Sequence, residues 1–101
     1  MWGYRKNLIP KNLELLIKKA SVDPAFRAVL QKDPQTAVRQ LGMTLDPLEK
    51  SMLESIPANH LDTFIKNVQV PPEHRPIYLG ASAAAIFTLL AQFTLAPVPG
   101  N

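Results

Sequence analysis

Cysteine is absent from this chain of 101 residues. That excludes disulfides, thiolate zinc sites, thiol catalysis and Cys-linked haem or iron–sulfur clusters, and it leaves the compartment open. Glycine is scarce, with four in all, and they form no glycine-rich phosphate loop. His60 and His74 have no second histidine at ligand spacing, so each reads as a surface side chain. Asp62 and Glu73 are not an acid–base pair. Ser51, Ser55 and Ser82 lack a nucleophile-elbow context. No catalytic residue, metal ligand, cofactor motif or small-molecule site emerges, which argues against an enzyme.

Charge is missing from the whole C-terminal quarter. All eleven Lys and Arg and all eight Asp and Glu lie between Arg5 and Arg75. The mean hydropathy near zero therefore averages a charged, helix-prone region and an apolar one. The net charge is +3, with Arg5, Lys6, Lys11, Lys18 and Lys19 concentrated near the N-terminal end. Such a balance favours anionic lipid or an acidic partner surface. It is too small and too interleaved with apolar residues to argue for nucleic acid.

A secretory signal is also missing. The opening "MWGYRKNLIPKN" is basic, but "LELLIKKAS" offers only a three-residue apolar run before Lys18. Trp2, Tyr4, Arg5 and Lys6 mix aromatic and basic groups, which suits a membrane–water interface or a docking arm. A frayed terminus accounts for them equally well.

What is present is helix. Asp-Pro occurs three times, at Asp23-Pro24, Asp33-Pro34 and Asp46-Pro47. An N-cap Asp accepts a bond from an early backbone N–H, and Pro at N1 lacks the N–H that would go unpaired. Glu49 falls at N3 of the third site, as a capping box requires. These pairs predict helices over about 24–32, 34–41 and 47–56. A further helix over about 10–20 precedes them, and a fifth follows Pro57. The predicted core faces are Leu13, Leu16, Ile17 and Ala20; Phe26, Val29 and Leu30; Leu48, Met52, Leu53 and Ile56; and Leu61, Phe64, Ile65 and Val68. Gly42 supplies a left-handed cap after the third helix. Helices of this length are marginal alone, so their faces must pack into a small all-α bundle over residues 10–68. Residues 1–9 form an arm before it. "VQVPPEHRP" at 68–76 then reads as a stiff, Pro-rich linker over 69–76.

The decisive stretch is "IYLGASAAAIFTLLAQFTLA" at 77–96, which carries no charge. Twenty helical residues span about 30 Å, the thickness of a bilayer core. A helix apolar around its circumference must be buried in protein or in lipid. The expectation is a single C-terminal transmembrane helix, followed by a short tail at 97–101. Gly80, Ala84, Thr88 and Ala91 align on one face, a small-residue strip that lets another helix approach. Arg75 and Tyr78 would sit at the near interface. Lys66 and Arg75 precede the span and no cation follows it, so the N-terminal domain would be cytoplasmic.

Residues 23–56, "DPAFRAVLQKDPQTAVRQLGMTLDPLEKSMLESI", resemble the helical domain of the nitrile hydratase-like leader peptide clan, found in precursors of ribosomally made, modified peptides. Asp23-Pro24, Phe26-Arg27, Leu30, Asp33-Pro34, Ala37, Gly42, Leu45, Leu53 and Ile56 carry the likeness. The resemblance implies a helical recognition module bound by maturation enzymes while a C-terminal core peptide is modified. No double glycine marks a cleavage point, and no cluster of acceptor side chains follows.

Three readings result. The first is a non-enzymatic single-pass protein of the bacterial cytoplasmic membrane. It would be an accessory subunit of a larger complex, photosynthetic or respiratory, with other transmembrane subunits and lipid as partners. The second is a precursor peptide with residues 10–68 as leader. The third is a soluble helical adaptor that buries its apolar segment in a homo-oligomer.

Overall fold

The three Asp-Pro pairs each start a helix. The computed structural model describes residues 10–95, and their side chains through residue 92. Its helices are α1 (Lys11–Val22), α2 (Pro24–Lys32), α3 (Pro34–Gln40), α4 (Pro47–Ser55), α5 (Ala58–Asn67), α6 (Arg75–Tyr78) and α7 (Ala83–Leu95). No strand occurs among the described residues.

Asp23 accepts from the Phe26 N–H, Asp33 from the Thr36 N–H, and Asp46 from the Glu49 N–H, with proline opening each helix. At α4 the Glu49 carboxylate also takes the Asp46 N–H at 3.1 Å, completing the capping box. α3 ends in a full Schellman turn. The Met43 N–H bonds the Val38 carbonyl, and the Gly42 N–H bonds the Arg39 carbonyl. Gly42 sits at φ 65°, where a Cβ would be strained.

The spine of the bundle is α1, against which α2, α4, α5 and α6 all pack. Leu13, Leu15, Leu16, Ile17 and Ala20 are all buried. Facing them are Phe26 and Leu30 of α2, Ala37 and Val38 of α3, Leu53 of α4, and Leu61 and Ile65 of α5. Polar ties set the spacing. The Asn12 side-chain amide donates to buried Glu49 at 3.1 Å, joining α1 to α4. Arg27 and Gln31 of α2 both reach Asp62 of α5. Among the described residues no buried side-chain nitrogen or oxygen lacks a partner.

The apolar run departs from expectation. No helix among the described residues is long and apolar enough to cross a membrane. The transmembrane helix over 77–96 is therefore corrected, and with it the single-pass topology and the placement in the bacterial cytoplasmic membrane. The helix is interrupted between Tyr78 and Ala83. α7 has 13 residues, about 20 Å of helix against a hydrocarbon core of about 30 Å.

The physical reason lies in two local features and one distant one. Gly80 is a poor helix residue. Ser82 caps α7, its hydroxyl oxygen accepting the Ala85 N–H at 3.2 Å. From α1, the Lys19 ammonium donates to the carbonyls of Tyr78 and Gly80, both at 3.0 Å. The broken run then folds back onto the bundle. Ile77, Tyr78, Ala83 and Ile86 are buried, Ile86 completely. The Ala83 N–H bonds the Leu41 carbonyl at 2.9 Å, tying the start of α7 to the end of α3.

The Pro-rich segment is not wholly extended either. A one-turn 3₁₀ helix, Pro72–His74, leads directly into α6. In both, proline occupies an opening position that needs no N–H.

Candidate functional site

Gly80 stands apart from the other three residues of the small-residue strip. Gly80 lies in the turn before α7, where an added Cβ would meet the Ile77 carbonyl oxygen at 3.2 Å and Ile86 Cγ1 at 3.3 Å. Ala84, Thr88 and Ala91 are exposed on the outer side of α7. The Thr88 hydroxyl donates to the Ala84 carbonyl of its own helix at 2.9 Å. The side of α7 that packs inward carries Ala83, Ile86, Phe87 and Leu90 at i, i+3, i+4 and i+7. Lys11 of α1 lies over the Phe87 ring, 5.4 Å from its centroid.

Of the residues read as interfacial, the two that are described differ in exposure. Arg75 is exposed at the start of α6. Tyr78 is buried in the core, and that burial raises its phenol pKa above 10.0. Trp2, Tyr4, Arg5 and Lys6 lie outside the described residues. No group of three or more His, Asp or Glu that could hold a metal occurs among the described residues.

A site does arise where the sequence pattern points only to core. α4 and α5 do not close completely over α1. Between them runs an apolar groove of about 250 Å³, lined by Leu13, Ile17, Met52, Ser55, Ile56 and Phe64. The only polar side chain in that lining, Ser55, donates to the Met52 carbonyl at 3.0 Å, so the groove offers almost no hydrogen-bonding group. Its volume lies below the roughly 300–1,000 Å³ of small-molecule pockets. It suits one or two apolar side chains.

The local sequence explains the gap. Nine-residue α4 buries only Leu53 and Glu49, leaving Met52 and Ile56 half-covered. Leu48 is 65 % exposed and Phe64 45 % exposed. The tie between α1 and α4 is at one end, through Asn12 and Glu49, and α5 is held towards α2 through Asp62.

Asp62 is the electrostatic anchor behind this geometry. It accepts from Arg27 and Gln31 across the helix gap and pairs with Lys66 at 3.1 Å on its own helix. The Arg27 bond first, and then Lys66, hold its carboxyl down to about 2.

Fold and groove together define the class: a small all-α bundle with an apolar cleft between three helices. No family model, curated protein or solved structure matches this chain.

Proposed function

We propose that this protein is a non-enzymatic helical adaptor that binds a partner polypeptide through the α1–α4–α5 groove. The occupant is an amphipathic helix whose apolar anchors, spaced three or four residues apart, insert between Met52, Ile56 and Phe64. Helix-in-groove recognition needs an apolar trough flanked by helices and few competing polar groups. The observation that carries the reading is the open apolar lining, with Phe64 left in solvent. Large apolar side chains gathered in this way mark interaction sites.

The resemblance of residues 23–56 to a leader domain agrees with a recognition role. The precursor reading fits less well at the C-terminal end. Cutting after residue 76 would remove Ile77, Tyr78, Ala83 and Ile86 from the core.

The test is an NMR titration with a synthetic amphipathic helical peptide bearing leucines at i, i+4 and i+7. Shift changes centred on Leu13, Ile17, Met52, Ile56 and Phe64, abolished by Met52→Asp, support the proposal. Shifts confined to the outer face of α7, or none at millimolar peptide, contradict it.

A further inference from the structure

The most unusual group in the molecule is a buried ammonium. Lys19 is 5 % exposed. Its Nζ donates to the carbonyls of Tyr78 and Gly80 at 3.0 Å each, and reaches Asp23 Oδ2 at 3.4 Å. It also lies 5.3 Å from the Phe26 ring centroid. These partners come from the α1–α2 junction, α2, the last residue of α6 and the turn that follows it.

The two carbonyls are not arbitrary. In an uninterrupted helix the Tyr78 carbonyl would accept the Ser82 N–H, and the Gly80 carbonyl the Ala84 N–H. Lys19 therefore replaces two intrahelical bonds with two charge-assisted ones. The alternative conformer is a helix running without a break from Arg75 to Leu95. The intervening residues, "LGAS" at 79–82, oppose that helix only through Gly80 and the capping hydroxyl of Ser82. The bent turn has no room for a side chain at position 80, where an added Cβ would meet the Ile77 carbonyl oxygen and Ile86.

We infer that α6–α7 is a latched arm, with Lys19 as the latch. Closed, the arm folds back and covers the face of α1 on which Ile77 and Tyr78 rest. Open, it straightens into one helix of about 30 Å, and that face of α1 is uncovered. The device acts independently of the α1–α4–α5 groove, because no groove-lining residue belongs to α6 or α7.

The absence of native cysteine makes the test direct. Spin labels at Gln40→Cys and Gln92→Cys, both exposed positions, report the span from α3 to the end of α7. ¹³Cα shifts report helicity at residues 79–82. The wild-type chain gives a single short distance and non-helical shifts at 79–82. Lys19→Met keeps the side-chain length and removes every donor. It lengthens the distance by more than about 10 Å, since a straightened helix carries Gln92 away from the bundle, and makes 79–82 helical. Lys19→Arg, which still donates, keeps the short distance.

Gly80→Ala leaves the α1–α5 core untouched and shifts the equilibrium in the same direction. Its helix propensity alone favours the straight form about fivefold. An unchanged distance in both Lys19→Met and Gly80→Ala overturns the latch. So does loss of the α1–α5 signals in Lys19→Met with no long-distance population in Gly80→Ala, because Lys19 is then a core residue only.

Discussion

Lys19 of α1 donates to the carbonyl oxygen of Gly80 at 3.0 Å, across 61 residues of chain. The contact breaks a run of twenty uncharged residues into a turn and a shorter helix. Hydropathy measures the length of such a run, and Lys19 cancels that length by satisfying the carbonyls a break exposes. Ile86 then becomes a core residue rather than a lipid-facing one.

Ile86→Ala should destabilise the chain by about 2–4 kcal/mol, as a fully buried branched side chain does when truncated. Thr88→Ala, on the exposed side of the same helix, should change stability by less than about 0.5 kcal/mol. Urea denaturation in detergent-free buffer measures both. Equal effects at the two positions would show that α7 does not pack by the face described.

Each helix start should be separately measurable. Asp46→Ala removes the capping box of α4 and should cost about 1 kcal/mol. Asp23→Ala and Asp33→Ala should cost similar amounts at α2 and α3. The effects should be close to additive for Asp23 and Asp46, which cap different helices. Thermal unfolding of the single and double variants provides the comparison.

Acid should loosen the α2–α5 tie through Asp62. Its carboxyl is held below the ordinary 3.8, to about 2, so the folded state binds its proton less readily than the unfolded chain. The stabilisation is complete above pH about 4 and is lost as pH falls towards about 2. Asp62→Asn should flatten that part of the stability–pH curve. A curve of unchanged slope between pH 4 and 2 would remove Asp62 from the account.

Alkali should act through Tyr78. Burial raises its phenol pKa above 10.0, so the folded state favours the neutral form. That contribution is intact below pH 10 and declines as pH rises through the raised folded value. Tyr78→Phe should remove this part of the alkaline loss, read as the difference between the two stability curves above pH 10.

The groove should be separable from the fold. Phe64→Asp, at a position 45 % exposed, should abolish binding of the amphipathic peptide with a stability change under about 1 kcal/mol. A large loss of stability would make Phe64 a core residue instead.

Much of this architecture is legible from local chemistry. The Asp-Pro pairs place the starts of α2, α3 and α4 to the residue, because cap and proline act within one turn. Gly42 is legible for the same reason, since only a left-handed residue closes that turn. One-sided faces are less secure. Leu15 and Lys19 lie off the predicted face of α1, yet both are buried, because α1 is surrounded. Leu48, on the predicted face of α4, is exposed because α4 meets the bundle by Leu53 and Glu49. The turn at 79–82 had visible signals in Gly80 and in Ser82 before an alanine run. Its decisive partner, Lys19, is remote in sequence and has no local signature. The groove was illegible for a related reason: a half-covered core residue and a fully covered one look alike in a helical repeat.

The apolar C-terminal run belongs to the bundle. The Ala83 amide tests that placement most directly, because its partner, the Leu41 carbonyl, belongs to a different part of the chain. Hydrogen exchange of the full chain without detergent should show that amide protected by at least about a hundredfold over an unstructured peptide. Exchange of the Ala83 amide at the unstructured rate, with α1 and α2 still protected, would contradict the account.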